Sequence, residues 1–271
     1  ALPVSTLGLR HPTPWTVASA AGRRVAAMKP LPYLVIGERV NGFFAWHAGD
    51  GYRTSRCAVG GTDCTVSPIL AWDGDDDSSQ AEEAARAAVL ARAFVEGQPD
   101  LGVYYTRIVD DTQHWSTEYR VPRRVLAGDG DAPGAGFPHT RIADAYRQLD
   151  ASIATLVAAF GTPATVVLVS DHGWEYNDYD HFLSPMGVVL ITGTGATGVG
   201  GTADVLLLAP TVLSLLRLPI EDGMSSPLEE ITPAWGVTRR TAPLKADLIL
   251  DDVMDPARRD LLRALGYLQG R

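Results

Sequence analysis

The chain has few cysteines, an excess of acidic over basic residues, and no long hydrophobic run. Its 271 residues include two cysteines, and 23 Lys and Arg against 32 Asp and Glu give a net charge of −9. The acidic excess argues against general binding to nucleic acid or to an anionic membrane surface. No apolar run reaches the roughly 18 residues of a membrane span. With 46% apolar and 20% charged residues, the composition is that of an ordinary globular protein, large enough for one α/β domain or two smaller ones.

The two cysteines leave the redox state open. Cys57 and Cys64 lie seven residues apart in a glycine-rich stretch, and they can form a small disulfide or remain free thiols. Neither their spacing nor their neighbours suit a zinc clip. The chain begins at Ala1 without the charged and apolar regions of a signal peptide, so the compartment also stays open.

Apolar periodicity predicts alternating helices and strands. Continuous apolar strands separated by helices favour a mainly parallel sheet that is covered on both faces. A capping box, Ser79 to Glu82, opens one of the helices. Residues 39–78 show no sustained periodicity and are interpreted as a cap-like excursion over the sheet edge. The predicted helices are 14–21, 79–96, 141–160, 210–216 and 255–268, and the predicted strands are 24–28, 33–36, 101–107, 165–169 and 188–192.

Five potential metal ligands follow predicted strands. Asp110 and His114 come after the strand at 101–107, Asp171 and His172 come directly after the strand at 165–169, and His181 lies in the next loop. If the two strands are parallel, the first four side chains meet beyond the carboxyl ends of the strands, where α/β sheets place their sites. Two carboxylates and three imidazoles suit a pair of divalent cations.

Each of these residues also has a structural interpretation. An Asp-Asp pair before Thr is commonly a turn or a helix cap, and only the convergence of all five positions favours metal binding.

Two other motifs are interpreted as decoys. The Gly-x-Gly-x-x-Gly at 193–198 opens no helix at its third glycine, so a flexible loop is preferred over a dinucleotide site. The Asp73, Asp75 and Asp77 run has Ser78 where a calcium loop needs glycine.

These segments, taken in order, resemble the alkaline phosphatase superfamily, and most closely its type I phosphodiesterase/nucleotide pyrophosphatase branch. The most specific element is Ser170-Asp171-His172-Gly173 with His181 following. The resemblance implies a three-layer α/β/α sandwich with a mainly parallel central sheet, formed by a single, N-terminally truncated domain over 1–271. The other segments that carry it are 14–26, 105–115, 145–150, 187–190, 209–213 and the ending 265–267, which is similar to that of bacterial members.

The resemblance also implies a ligand set. Asp110, His114 and His181 would hold one metal, and Asp171 and His172 the second, with Asp111 a weaker candidate than Asp110. The lack of thiolate ligands suits zinc first, with manganese, iron or cobalt as alternatives. In relatives, an early strand supplies a further Asp and a Thr or Ser nucleophile. No segment of this chain matches them, so the nucleophile is expected upstream of residue 1 and the chain alone is expected to be inactive.

The implied function is a metal-dependent phosphohydrolase that acts on phosphodiester or nucleotide pyrophosphate bonds in a small substrate. A phosphomonoesterase, a phosphonate hydrolase or a sulfatase-like hydrolase would use most of the same ligands. A non-catalytic relative that binds metal or a phosphate ligand is the alternative from another class. The oligomeric state and the compartment stay open.

Overall fold

The computed structural model describes residues 12–28, 37–47, 51–58, 64–71, 80–115, 140–173, 186–193, 201–228, 238–241 and 248–249. These ranges contain both helices and strands, which confirms the predicted α/β class. The helices are α1 (Pro14–Ala20), α2 (Gln80–Gly97), α3 (Ile108–Trp115), α4 (Thr140–Phe160) and α5 (Leu208–Leu215), with a 3-10 turn at Val205–Leu207. The strands are β1 (Val25–Met28), β2 (Gly37–Glu38), β3 (Gly42–His47), β4 (Gly51–Cys57), β5 (Cys64–Ala71), β6 (Leu101–Tyr104), β7 (Thr165–Val169), β8 (Val189–Gly193), β9 (Ile220–Glu221), β10 (Arg239–Arg240) and β11 (Leu248–Ile249).

The chain divides into two compact units. The first contains Ala1–Gly74, Arg92–Tyr105 and Val199–Arg271, and the second contains Asp75–Ala91 and Thr106–Gly198. Helix α2 contributes residues to both units, and the four predicted metal ligands whose backbone the structure describes, Asp110, His114, Asp171 and His172, belong to the second. The prediction of a single domain over 1–271 stays a prediction.

The first unit contains a five-stranded sheet with a parallel centre. Its strand order is β5-β4-β3-β1-β6, and β1 pairs in parallel with both β3 and β6. Strands β4 and β5 extend the sheet in antiparallel fashion beyond β3. All four residues of β1 are buried, as are Phe43 to Trp46 of β3, so the central strands are covered on both faces. This agrees with the predicted layered arrangement, because parallel sheets are stable only when both faces are covered.

Helices α1 and α5 form the core of the first unit with one face of the sheet. Helix α1 packs against both β1 and α5. Burial of apolar surface is the main favourable contribution to folding, at roughly 25 cal/mol per Å². The shared core cluster contains Trp15, Val17, Ala18, Val25, Ala27, Val40, Phe44, Trp46, Leu213, Leu218 and Ile220.

A buried carboxylate, Glu38, is held by the start of α1. It is 1% exposed, and its Oε2 accepts hydrogen bonds from Trp15 Nε1 at 2.8 Å and from Thr16 Oγ1 at 2.9 Å. Thr13 caps α1, because its side chain accepts from the Thr16 amide. Buried charge is costly unless it is hydrogen-bonded, so these donors are what permit Glu38 beside the core.

The segment predicted as a cap-like excursion, residues 39–78, instead contributes regular strands. Its described parts form β3, β4 and β5, which the sequence pattern did not predict as strands. The reason lies in β3, Gly-Phe-Phe-Ala-Trp-His, which is buried on both faces and therefore lacks the alternation of a half-buried strand. Whether the segment also caps a site stays a prediction.

Strands β4 and β5 are joined by the disulfide between Cys57 and Cys64. The two cysteines stand directly opposite each other in the antiparallel pairing. This settles the choice that the sequence left open between a disulfide and two thiols. On the same hairpin, Arg56 lies over the Phe43 ring and pairs with Glu96 of α2 at 2.9 Å. Glu96 also accepts from Arg92, and that hydrogen bond lowers the pKa of the Glu96 carboxyl below its ordinary value.

In the second unit, α3 packs against α4, and β7 pairs with β8. Helix α4 buries Ile142, Ala145 and Leu156 and exposes the opposite side, as its 3.6-residue pattern predicts. The condition that the strands at 101–107 and 165–169 run parallel stays a prediction, because the two belong to different sheets. Strand β6 pairs with β1, whereas β7 pairs antiparallel with β8 in a separate two-stranded sheet.

Two predicted elements, the strand at 33–36 and the helix at 255–268, lie outside the described residues. None of the helices in the described ranges combines the length and apolar character that a membrane span requires.

The start of β3 depends on a glycine. Gly42 has a φ of +131°, and a Cβ built there would lie 2.3 Å from the Val25 carbonyl oxygen of β1. We expect Gly42→Ala to cost about 3 kcal/mol or more of unfolding free energy, since both backbone strain and a backbone clash oppose it. Urea unfolding would measure the loss.

Gly22→Ala is the matched control. Gly22 also has a positive φ, +78°, but a Cβ there meets nothing within 4 Å. Its expected cost is therefore only the left-handed backbone penalty, about 1–2 kcal/mol. Equal losses in the two variants would contradict the close β1–β3 approach.

Candidate metal centre

The first predicted ligand segment lies on a helix rather than on a loop. Asp110 is in the first turn of α3, and the backbone of His114 lies four residues later on the same helix. Positions four apart share a face of a helix, which is the spacing that lets two side chains hold one cation. The His114 side chain lies outside the described part of the structure, as does all of His181.

The neighbouring residues Asp110 and Asp111 differ in their distance from Arg107 and in their exposure. Its Nη2 pairs with Asp111 Oδ1 and lies 3.9 Å from Asp110 Oδ2. The Asp111 side chain is 7% exposed, whereas that of Asp110 is 24% exposed. Asp111 is therefore held by the guanidinium, and Asp110 is the more accessible carboxylate.

The second predicted segment follows β7 directly. The β7–β8 pairing continues to Ser170 and Val188, whose backbone groups exchange hydrogen bonds of 2.8 and 3.2 Å. Gly187 permits this approach, because a Cβ there would lie 1.8 Å from the Ser170 carbonyl oxygen. Beyond this last pair, Ser170 Oγ donates to the His172 carbonyl at 2.6 Å. The ladder thus fixes the backbone from which Asp171 and His172 project.

The imidazole of His172 is oriented by its own loop. Its Nδ1 lies 2.9 Å from the Gly173 carbonyl oxygen. A carbonyl only accepts, so this bond requires the proton on Nδ1 and, in the neutral ring, leaves Nε2 as the acceptor. A backbone carbonyl on the far nitrogen is the usual arrangement for a metal-ligating histidine. His172 is 27% exposed and Asp171 is 80% exposed, so both are accessible to solvent.

The donor atoms of Asp171 and His172 have a separation that fits a shared cation. His172 Nε2 lies 3.5 Å from Asp171 Oδ1. Two donors bound to one tetrahedral zinc at about 2.0–2.1 Å each would lie about 3.3–3.4 Å apart. The separation of these two donors is thus compatible with a shared cation, and the metal stays a prediction.

The structure brings the predicted ligands together only in part. Asp171 lies beside His172, and Asp110 lies one turn from His114 along α3. Among the side chains that the structure describes, no three His, Cys, Asp or Glu groups cluster closely enough to hold a metal ion. The five-residue assignment consequently stays a prediction.

Sequence reasoning missed the groups that hold the start of α3. These are Arg107, and a trio formed by the buried Glu83 and Arg86 and the partly buried Thr106. The signal available was spacing, because Glu83 and Arg86 are three apart on a predicted helix and Arg107 and Asp111 are four apart.

Comparison with known families gives one match. Residues 9–256 match the family described as type I phosphodiesterase / nucleotide pyrophosphatase. The chain belongs to this family. The suspected membership is thus confirmed over most of the sequence, and the α/β fold with its parallel central strands is consistent with the alkaline-phosphatase-like fold. No curated protein and no solved structure matched the chain.

Membership in the type I phosphodiesterase family supports a phosphoester hydrolase. A family of this kind also fits a small phosphate-ester substrate. Both statements hold at the level of the family.

Gly187 offers a test of how the second ligand segment is supported. We expect Gly187→Ala to break both hydrogen bonds between Ser170 and Val188, at about 1 kcal/mol each. Amide hydrogen exchange at these two residues should accelerate accordingly. Gly201→Ala is the control, because a Cβ at Gly201 meets nothing within 4 Å. Equal exchange rates in the two variants would show that the ladder ends before Ser170.

Proposed function

We propose that this member of the type I phosphodiesterase family is a metal-dependent phosphohydrolase that acts on phosphodiester or nucleotide pyrophosphate bonds. The observation that carries the proposal is the family match over residues 9–256. The Asp171–His172 pair supports it, because its donor atoms have the separation and the His172 tautomer that a shared cation requires.

The proposed ligands divide into two sets. Asp110, His114 and His181 would hold one cation, and Asp171 with His172 would contribute to the second. Zinc fits these oxygen and nitrogen donors, and manganese, iron or cobalt are alternatives. When bound, two such cations stabilise the negative charge on the phosphoryl and leaving oxygens.

The protein groups around these ligands perform distinct tasks. The Gly173 carbonyl accepts the Nδ1 proton of His172. In the neutral ring the lone pair is then on Nε2, which is the nitrogen that would bind a metal. Arg107 lies closer to Asp111 than to Asp110, and the Asp110 side chain is the more exposed of the two, which favours Asp110 as the metal ligand. The net charge of −9 would repel a phosphate ester, so a substrate of this class needs local positive charge at the site.

The two aspartates of α3 provide a matched pair of variants. Asp110→Asn should remove one of two bound zinc equivalents, since an amide is a poor replacement for a carboxylate ligand. Asp111→Asn should retain both metals but lose stability, because it leaves the Arg107 guanidinium without its buried partner. Metal analysis after dialysis, together with urea unfolding, measures the two effects. A zinc content that falls with Asp111→Asn and not with Asp110→Asn would reverse the assignment.

Activity should separate the substrate classes. In a protein that carries the expected nucleophile segment, we expect hydrolysis of bis-p-nitrophenyl phosphate and of a nucleotide sugar, with much slower hydrolysis of p-nitrophenyl phosphate. A chelator should abolish the activity and added zinc should restore it, because the cations supply most of the charge stabilisation. Preference for the monoester would instead indicate a phosphomonoesterase. Metal binding without turnover of any ester would indicate a binding protein.

A further inference from the structure

A buried ion pair lies on α2 in the second unit. The Glu83 side chain is 0% exposed and that of Arg86 is 2% exposed, and Arg86 Nη2 donates to Glu83 Oε2 at 3.0 Å. Taking two charges out of water is costly, and an apolar pair of similar volume often stabilises a fold at least as well. The pair is therefore poorly explained by stability alone.

Thr106 connects this pair to the start of α3. Its Oγ1 donates to Glu83 Oε2 at 2.7 Å and accepts from the Ile108 amide at 3.2 Å. Ile108 is the first residue of α3, and the first amides of a helix have no partner within the helix. A single hydroxyl thus joins a buried carboxylate on α2 to the first amide of α3.

The first turn of α3 is also the turn that carries Asp110. The Ile108 side chain is 0% exposed, and Asp110 lies two residues beyond it. Metal ligands tolerate errors of only a few tenths of an ångström in donor position. A helix start that is fixed by a buried charge and a buried side chain provides that precision, whereas a fraying first turn would not.

We propose that Glu83, Arg86 and Thr106 form a positioning element, here called the α3 anchor, that holds Asp110 and His114 in place for metal binding. The inference rests on the proposed function and deepens it. The proposed role of the three anchor residues is to act through the backbone of α3 and not as metal ligands. Substitution of these residues should weaken zinc binding at Asp110 and His114 more than it lowers the free energy of unfolding.

The test uses Thr106→Val, which keeps the shape of the side chain and removes the hydroxyl. Zinc affinity is measured by competition with a chromophoric chelator, and stability by urea unfolding. We expect Thr106→Val to weaken one of the two zinc sites by about 10- to 100-fold, the usual effect of losing an outer partner of a metal ligand. Thr106→Ser restores the hydroxyl and should return the affinity to within about threefold of wild type. Thr106→Ala serves as a second variant if Thr106→Val folds poorly.

Thr16→Val is the matched control. Thr16 Oγ1 also donates to a buried carboxylate, Glu38, but it belongs to the first unit and to no predicted ligand segment. It should lose stability as Thr106→Val does while both zinc affinities stay unchanged. Weaker zinc binding of equal size in Thr16→Val and Thr106→Val would overturn the anchor, because the effect would then follow general destabilisation.

The outcomes also distinguish the anchor from the proposed function. If Asp110→Asn loses a zinc ion while Thr106→Val binds zinc like wild type, the anchor is wrong and the metal site stands. If the wild-type chain binds no zinc, manganese, iron or cobalt, the metal site is wrong and the anchor falls with it.

Discussion

Strand β1 constrains the first unit more than any other element. Its four residues are buried, and a buried backbone is stable only if its N–H and C=O groups find partners. Strands β3 and β6 supply those partners on either side, in parallel. The need to cover both faces of these strands then accounts for α1 and α5 on one face and for the apolar side chains of β3. The antiparallel strands β4 and β5 follow from β3 through short connections.

The second unit depends on a different device, the use of buried or paired polar groups to fix backbone positions. Glu83 and Thr106 fix the start of α3, and the Ser170–Val188 pair fixes the end of β7. Both lie immediately before predicted metal ligands. The described side chains of the predicted ligands, Asp110, Asp171 and His172, are solvent-accessible to different degrees, whereas the backbone beside them is held by hydrogen bonds. This division between accessible ligands and constrained supports is what a binding site on a rigid scaffold requires.

The sequence predicted the long, strongly patterned elements well. Helix α2 follows the capping box at Ser79, and α4 follows the periodic apolar residues between Ile142 and Leu156. Prediction from the sequence failed for a strand whose burial on both faces removes the polar–apolar alternation. It also failed for strand pairing, because the partner of a strand lies elsewhere in the sequence. Strand β3 is apolar on both faces and was included in the predicted cap-like excursion, and the partner of β7 could not be read from the three valines and one leucine of that strand. Asp110 and His114 were predicted as ligands from their spacing and order, a prediction that stays open, but their helix was not predicted, because α3 is short and its start depends on a residue of α2.

The disulfide at the end of the β4–β5 hairpin has a consequence for limited proteolysis. It joins Cys57 to Cys64 across the strand pair, so the backbone between them is one of two covalent routes from β4 to β5. A peptide bond cut between these two residues would leave the fragments attached to each other. Such a nicked molecule would migrate as one species until a reductant opened the second route.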